Sequence, residues 1–148
     1  MKRKFKIILT AAGALITASL LIWSAAGSIE MFLERDAITS AAEGYLEAEA
    51  QRDLARIYAL LPPSSEYRQT HDYEAFCKDV AAEPPVVLRT YRIIGIEGLR
   101  KNEDPAAHPA VEKRVSVEVE VTFEHSGDDT VFNYIFTFQK EKGRWYKG

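Results

Sequence analysis

Two alternating stretches near the end of the chain constrain its fold most strongly. VSVEVEVTFEH, residues 115–125, places valines and a phenylalanine on one side and serine, glutamates and threonine on the other. TVFNYIFTFQK, residues 130–140, alternates in the same way with aromatic side chains. A period of two is typical of β-strands with one buried face, and SGDD between the stretches is a turn signal. The sequence therefore predicts an antiparallel hairpin with an apolar inner face.

The apolar residues of the two stretches also predict a register. A four-residue loop from Ser126 to Asp129 would pair Phe123 with Phe132. Apolar residues then meet along the whole inner face, whereas a slip by one residue would set apolar against polar throughout. The further predicted pairs are Val121 with Tyr134, Val119 with Phe136 and Val117 with Phe138.

Helical spacing of apolar residues precedes these strands. It predicts helices over residues 37–53, 54–61 and 71–83, and proline pairs follow the second and third. Residues 86–99 are rich in β-branched side chains and predict a long strand, bent at Gly95 or Gly98. A short last strand lies in residues 144–148. The predicted fold class is α+β, with three helices packed on a curved antiparallel sheet of about four strands.

The beginning of the chain predicts a membrane anchor ahead of this domain. Residues 7–29 are 23 uncharged residues, which span ~34 Å as a helix and suffice to cross a bilayer. Four basic residues precede this run and favour a cytoplasmic N-terminus. We therefore expect a transmembrane anchor in residues 1–29, a stem in 30–36 and the domain in 37–148. The alternative is a signal peptide cleaved near Ala26.

The charge distribution limits the partners that the domain can bind. Four of the 19 basic residues precede the uncharged run, and the other 15 follow it together with all 22 acidic residues. The chain after the run therefore has a formal net charge of −7. Such a domain is a poor candidate for nucleic-acid binding, which depends on phosphate neutralisation. We expect a single-pass protein of the cell membrane that contacts the bilayer through residues 7–29. Cleavage would instead give a secreted or periplasmic protein.

The order of these elements resembles the nuclear transport factor two-like superfamily. The matching stretches are YLEAEAQRDLARIYALLPP, the VSVEVEVTF…FNYIFTFQK hairpin and the terminal GRWYKG. The similarity is to exported, anchored members such as the small domain preceding the transpeptidase part of some penicillin-binding proteins. It implies a cone-shaped α+β fold in which a curved sheet wraps the helices, and dimerisation or partner binding through the sheet face.

The sequence offers no placeable catalytic or metal-binding constellation. His71 and Asp72 are weak acid–base candidates, because they lie at a helix start, where capping and solvation explain them. His108 and His125 have no second ligand at metal-binding spacing. Cys77 is predicted to be a core thiol. We expect no cofactor and no metal.

The density of aromatic residues is the feature that favours ligand binding. These side chains either fill the core or leave part of the cone open as an apolar pocket. The candidate pocket-lining residues are Tyr45, Tyr58, Tyr91, Tyr134 and Trp145. The expected function is a membrane-tethered extracytoplasmic domain without catalytic activity that contacts a protein partner or a small apolar ligand. The alternative is an exported small-cavity enzyme or carrier of the isomerase or cyclase kind.

Overall fold

A computed structural model describes residues 2–83, 87–125 and 127–148, with side chains described in 27–83, 87–124 and 127–148. The helices are α1 (Lys2–Gln51), α2 (Leu54–Ala59), α3 (Glu66–Thr70) and α4 (Tyr73–Ala82). The strands are β1 (Val87–Lys101), β2 (Lys113–His125), β3 (Asp128–Glu141) and β4 (Arg144–Lys147). They form one antiparallel sheet in the order β1-β2-β3-β4, as predicted. The chain divides into two units, residues 1–35 and residues 36–148.

The transmembrane helix in the predicted fold class is wrong. In the part of the chain that the structure describes, no helix combines the length and the apolar character needed to cross a bilayer. The part of α1 whose side chains are described begins at residue 27 and carries Glu30, Glu34, Arg35 and Asp36 within two turns, too many charges for the core of a bilayer. Most of the predicted span, residues 7–26, lies outside the residues with described side chains.

The described residues of the domain contain four helices, where three were predicted. The additional helix, α3, lies between the second and third predicted helices, where none was predicted. Ser65 caps its start, because the Ser65 hydroxyl accepts a hydrogen bond from the Arg68 N–H at 3.3 Å. Asp53 and Asp72 cap α2 and α4 in the same way. A short polar side chain therefore caps the N-terminus of each helix after α1.

The β2–β3 hairpin forms, but its register differs from the predicted one by two residues. Phe123 pairs with Thr130, and His125 pairs with Asp128, so only two positions of the sequence separate the last paired residues. Gly127 supplies the positive φ of 91° that this tight turn needs. A shift of two leaves every side chain on its predicted face, which explains why face alternation did not reveal the error.

β1 is irregular at the two glycines that predicted a bend. Its register against β2 shifts between Ile93 and Gly95 and again between Glu97 and Arg100, with Gly98 at a φ of 66° in the second irregularity. A third shift follows Leu88. Each irregularity increases the local twist, which is how a long strand follows a curved sheet.

The core lies where α1, from Ile38 onward, packs against the inner face of the sheet. The largest fully buried side chains, each 1% exposed or less, are Ile38, Leu46, Val115, Val117, Val119, Val121 and Phe138. One charged residue is buried with them: Glu141 is 4% exposed. Its carboxylate accepts hydrogen bonds from the Ser64 hydroxyl at 2.5 Å and from the Gln139 amide at 2.6 Å. Because both donors reach the carboxylate, its burial is compensated.

Candidate functional site

A cavity of about 690 Å³ lies between the helices and the half of the β2–β3 hairpin nearest the turn. It is bounded by the end of α1, by α2 and by α4 on one side and by the inner face of β2 and β3 on the other. The lining residues are Tyr45, Glu49, Arg52, Leu54, Ile57, Leu61, Phe76, Val80, Glu83, Phe123, Thr130, Phe132 and Tyr134. Most of these side chains are apolar, so the cavity suits an apolar molecule.

Aromatic rings form the sheet side of the cavity. Phe123, Phe132 and Tyr134 lie within 6.0–6.4 Å of one another, measured between ring centroids. We name these three residues the aromatic wall. Phe132 is 45% exposed and Tyr134 is 43% exposed although both belong to the inner face of the sheet. Inner-face aromatic rings with this exposure are available for contact with a ligand.

The helical side of the cavity is also apolar. Ile57 of α2 and Phe76 of α4 are 6% and 7% exposed and form its floor. Leu54 and Val80 are half-buried on the same two helices. These residues recur at helical spacing on the faces of α2 and α4 that the sequence predicted to be apolar. The same apolar faces that form the core therefore continue into the cavity wall.

Polar groups are concentrated at the end of α1. The Tyr45 hydroxyl donates a hydrogen bond to Glu49 Oε1 at 2.5 Å. Burial of Tyr45 raises the pKa of its hydroxyl above its usual range, and the neighbouring Glu49 carboxylate adds to this effect. The hydroxyl therefore stays protonated and serves as a hydrogen-bond donor rather than as a base.

Arg52 follows α1 in a conformation that glycine usually adopts. Its φ is 53°, and the Asp53 N–H donates to the Ala48 carbonyl at 2.9 Å in the manner of a helix C-cap. This turn directs the chain from α1 into α2 and brings the Arg52 side chain to the cavity. The cavity thus combines an apolar body with one polar end, where a ligand with a single polar group would be oriented.

The five predicted pocket residues do not come together. Tyr45 and Tyr134 line the cavity. Tyr58 instead donates a hydrogen bond from its hydroxyl to the His71 carbonyl at 2.8 Å. Tyr91 pairs with Val121 in the β1–β2 ladder, and Trp145 is 6% exposed on β4. Neither of these two belongs to the cavity lining.

The two acid–base candidates are held at the start of α4, away from the cavity lining. Asp72 accepts a hydrogen bond from the Ala75 N–H at 2.9 Å, which makes it a helix cap. The His71 ring stacks on Tyr67 with centroids 4.4 Å apart, and its Nδ1 lies 2.9 Å from the Thr70 hydroxyl. Each side chain therefore has its own structural partners: Asp72 caps α4, and His71 contacts Tyr67 and Thr70.

Sequence reasoning missed the helical half of the cavity. Leu54, Ile57, Phe76 and Val80 were assigned to apolar helix faces without being assigned to a pocket, because periodicity cannot tell a covered face from an open one. Cys77, which follows Phe76, is half-buried. Within the described ranges, no group of histidine, cysteine and carboxylate side chains is arranged to hold a metal ion.

No protein-family model matches the chain, and no curated protein matches it in sequence. Among solved structures, it is similar to the solution structure of RPA3114, a SEC-C motif containing protein from Rhodopseudomonas palustris. The two are 20% identical, with 69% of this chain and 67% of that chain covered and a TM-score of 0.47. This similarity does not establish a shared fold, and the resemblance to the nuclear transport factor two-like superfamily stays a prediction.

Proposed function

We propose that residues 36–148 form a binding domain that holds a small apolar ligand in the cavity between the helices and the sheet. The observation that carries this proposal is the cavity itself, whose volume of about 690 Å³ matches that of small-molecule sites. The exposed rings of Phe132 and Tyr134 supply apolar contact area. A ligand that covers them gains hydrophobic stabilisation of about 25 cal/mol per Å² of apolar surface.

The proposal is one of binding without catalysis. His71 and Asp72, the residues that sequence reasoning offered for acid–base chemistry, are not among the cavity residues. The Tyr45 hydroxyl, which does line the cavity, has a raised pKa and holds its proton. These placements favour a carrier or sensor of an apolar molecule over an isomerase-like or cyclase-like enzyme.

A neutral fluorescent probe tests the proposal. N-phenylnaphthylamine has an apolar body of suitable size, and its emission rises when it leaves water. We expect saturable binding to the purified full chain, and loss of that saturable component in Val80→Trp. Val80 lines the cavity from α4, so the indole ring would occupy the space that the probe needs.

The neighbouring residue provides the matched control. Ala81 is exposed on the same helix and does not line the cavity, so Ala81→Trp adds the same ring outside the site. All three proteins are measured in one detergent, so that probe in micelles contributes equally to each. Equal saturable binding to Val80→Trp and Ala81→Trp, or none to the unmodified chain, contradicts the proposal.

We also propose that the N-terminal residues direct this domain out of the cytoplasm. Four basic residues followed by an uncharged run are typical of an export signal. A reporter that is active only outside the cytoplasm, fused after Gly148, should be active in the full chain and inactive when residues 2–29 are deleted. Activity of a cytosolic reporter alone would refute export, and the intact mass of the product tests cleavage near Ala26.

A further inference from the structure

The edge of β3 beside the cavity is a second candidate binding surface, in addition to the cavity itself. β2 pairs with β3 from Asp128 onward, whereas β4 pairs only with Phe138 to Glu141. In the described parts of the chain, no strand pairs with the other side of β3 between Asp128 and Phe136. We name residues 128–136 the open edge. Unpaired backbone groups along such an edge can add a further strand.

Two hydrogen bonds show which peptide groups face the open edge. The Gly148 N–H donates to the Thr137 carbonyl at 2.9 Å, which places that carbonyl on the β4 side. The Glu112 N–H donates to the Lys140 carbonyl at 2.8 Å, which places that carbonyl on the β2 side. Successive peptide groups alternate between the two sides of a strand. The odd-numbered residues of the open edge therefore turn their N–H and C=O groups away from β2.

The open edge exposes apolar side chains on both faces of the sheet. Val131 and Ile135 are 59% and 71% exposed on the outer face, and Phe132 and Tyr134 are 45% and 43% exposed on the inner face. Soluble proteins usually protect such an edge with lysine, proline or a bulge. The open edge contains no lysine and no proline, its two charged residues, Asp128 and Asp129, lie at the end next to the turn, and its pairing with β2 is continuous.

The sequence of this edge is complementary to itself. VFNYI, residues 131–135, has an aromatic residue on each side of Asn133 and a β-branched residue beyond each aromatic. Read in the opposite direction, it presents the same kinds of side chain in the same order. A surface of this kind fits a second copy related by a two-fold axis, in which each residue contacts its counterpart on the other chain.

We propose that two copies of this chain dimerise by antiparallel pairing of their open edges about Asn133. Asn133 then lies opposite the Asn133 of the second copy. Val131 of each copy lies opposite Ile135 of the other on the outer face, and Phe132 lies opposite Tyr134 on the inner face. Aromatic and β-branched cross-strand pairs of this kind stabilise a sheet.

The backbone geometry agrees with this arrangement. Val131, Asn133 and Ile135 direct their N–H and C=O groups to the edge. In the proposed dimer, each pair formed by these residues across the two copies therefore exchanges two hydrogen bonds. The two four-stranded sheets join into one continuous sheet. This interface uses the edge of the sheet, whereas the dimer that the family resemblance implies uses its outer face. It does not depend on a ligand in the cavity.

Two variants with charged residues at positions 131 and 135 test the pairing and its register together. Val131→Lys/Ile135→Lys places lysine opposite lysine between two copies, and Val131→Glu/Ile135→Glu places glutamate opposite glutamate. Each variant alone should dissociate with a dimer dissociation constant raised about tenfold or more, because like charges directly opposite destabilise an antiparallel pair. An equal mixture of the two should form the mixed dimer, because each lysine then faces a glutamate.

A proline substitution tests the backbone contribution. The Asn133 N–H faces the open edge, so Asn133→Pro removes a donor that the dimer uses and leaves the ladder to β2 intact. We expect a monomer with an unchanged far-ultraviolet circular dichroism spectrum. Ile94→Lys is the matched control, because Ile94 is 44% exposed on β1 and lies two strands from the open edge. It should dimerise like the unmodified chain.

The measurement is sedimentation velocity of the full chain across a concentration series in a density-matched detergent. A dimer that is lost in both charge variants, lost in Asn133→Pro and restored in the mixture supports the proposal. A monomer at every concentration overturns it. A dimer that persists in both charge variants, or a mixture that stays monomeric, also overturns it.

Discussion

The two halves of β3 share one alternation pattern and have different surroundings. In the half that pairs with β4, Phe138 is 1% exposed. In the half near the turn, Phe132 and Tyr134 lie on the same face and are nearly half exposed. Since β2 pairs with both halves, the difference lies in the elements that cover the inner face and continue the sheet. Alternation determines the face of a side chain, and tertiary packing determines whether that face is covered.

The largest expected effect is a difference in stability between the two halves. Phe138→Ala removes a fully buried ring and should lower the free energy of unfolding by about 3–5 kcal/mol. Phe132→Ala removes a ring that is 45% exposed and should cost about 1 kcal/mol. Urea unfolding of both variants at the same dilute protein concentration measures the difference. Equal costs would mean that Phe132 is covered in solution.

The second expected effect concerns the buried hydrogen bonds of Glu141 in the covered half. Glu141 ends β3 and accepts a hydrogen bond from the Ser64 hydroxyl, which belongs to the segment between α2 and α3. Glu141→Ala leaves that hydroxyl and the Gln139 amide without their acceptor and should cost about 1–3 kcal/mol.

Glu112 provides a control for the Glu141 variant at the same end of the sheet. Its carboxylate also accepts a hydrogen bond, from the Gly143 N–H at 3.0 Å, but the residue is exposed. Glu112→Ala should therefore change the free energy of unfolding by about 0.5 kcal/mol or less. If the two alanine variants are equally stable in urea, burial of the Glu141 contact contributes nothing to the covered half.

The same contrast explains which parts of the fold could be predicted. Period-two alternation correctly predicted the hairpin, and the four-stranded antiparallel sheet followed from it together with residues 86–99 and 144–148. The loop length was wrong, because a two-residue shift between Phe123 and its partner preserves every face. The α3 helix was missed because its five residues are too few to display a periodic pattern.

The candidate site was less predictable than the fold. Tyr45 and Tyr134 were named from aromatic density, and both line the cavity. Tyr58 and Trp145 share that density but lie outside the cavity: the Tyr58 hydroxyl donates to the His71 carbonyl, and Trp145 pairs with Lys140 in the β3–β4 ladder. Phe76 was recognised only as part of an apolar helix face. A sequence pattern identifies the apolar surface, whereas a cavity is the space that two such surfaces leave between them.

A smaller expected effect concerns the turn that ends the open half. Gly127 has a φ of 91°, which L side chains rarely adopt, and a Cβ added there meets no atom within 4 Å. Gly127→Ala should therefore cost about 1 kcal/mol through backbone strain alone.

Gly95 serves as the control for this turn variant. It lies in β1 without a positive φ, and an added Cβ would meet only carboxylate atoms at 3.9–4.0 Å. Gly95→Ala should therefore keep or slightly raise the thermal unfolding temperature, because alanine restricts the unfolded chain. A Gly127→Ala variant as stable as the unmodified chain would show that the turn relaxes to another type, which the open half could absorb more readily than the covered half.

An effect of similar size is expected where the two halves meet. Tyr45 packs edge-on against Phe136 at 6.0 Å, and its hydroxyl donates to Glu49. Tyr45→Phe keeps the ring and removes this hydrogen bond, at a cost of about 1 kcal/mol near neutral pH.

This variant should also change how stability depends on alkaline pH. Burial raises the pKa of Tyr45 in the folded state, whereas an unfolded tyrosine has a pKa of about 10. Below that pH both states hold the proton, and above it only the folded state does, so the free energy of unfolding declines as pH rises further. Urea unfolding of the unmodified chain and of Tyr45→Phe, on both sides of that pH, should show a shallower decline in the variant. Identical slopes would mean that the Tyr45 hydroxyl is reached by water, and that the boundary between the covered and open halves lies closer to β4 than Phe136.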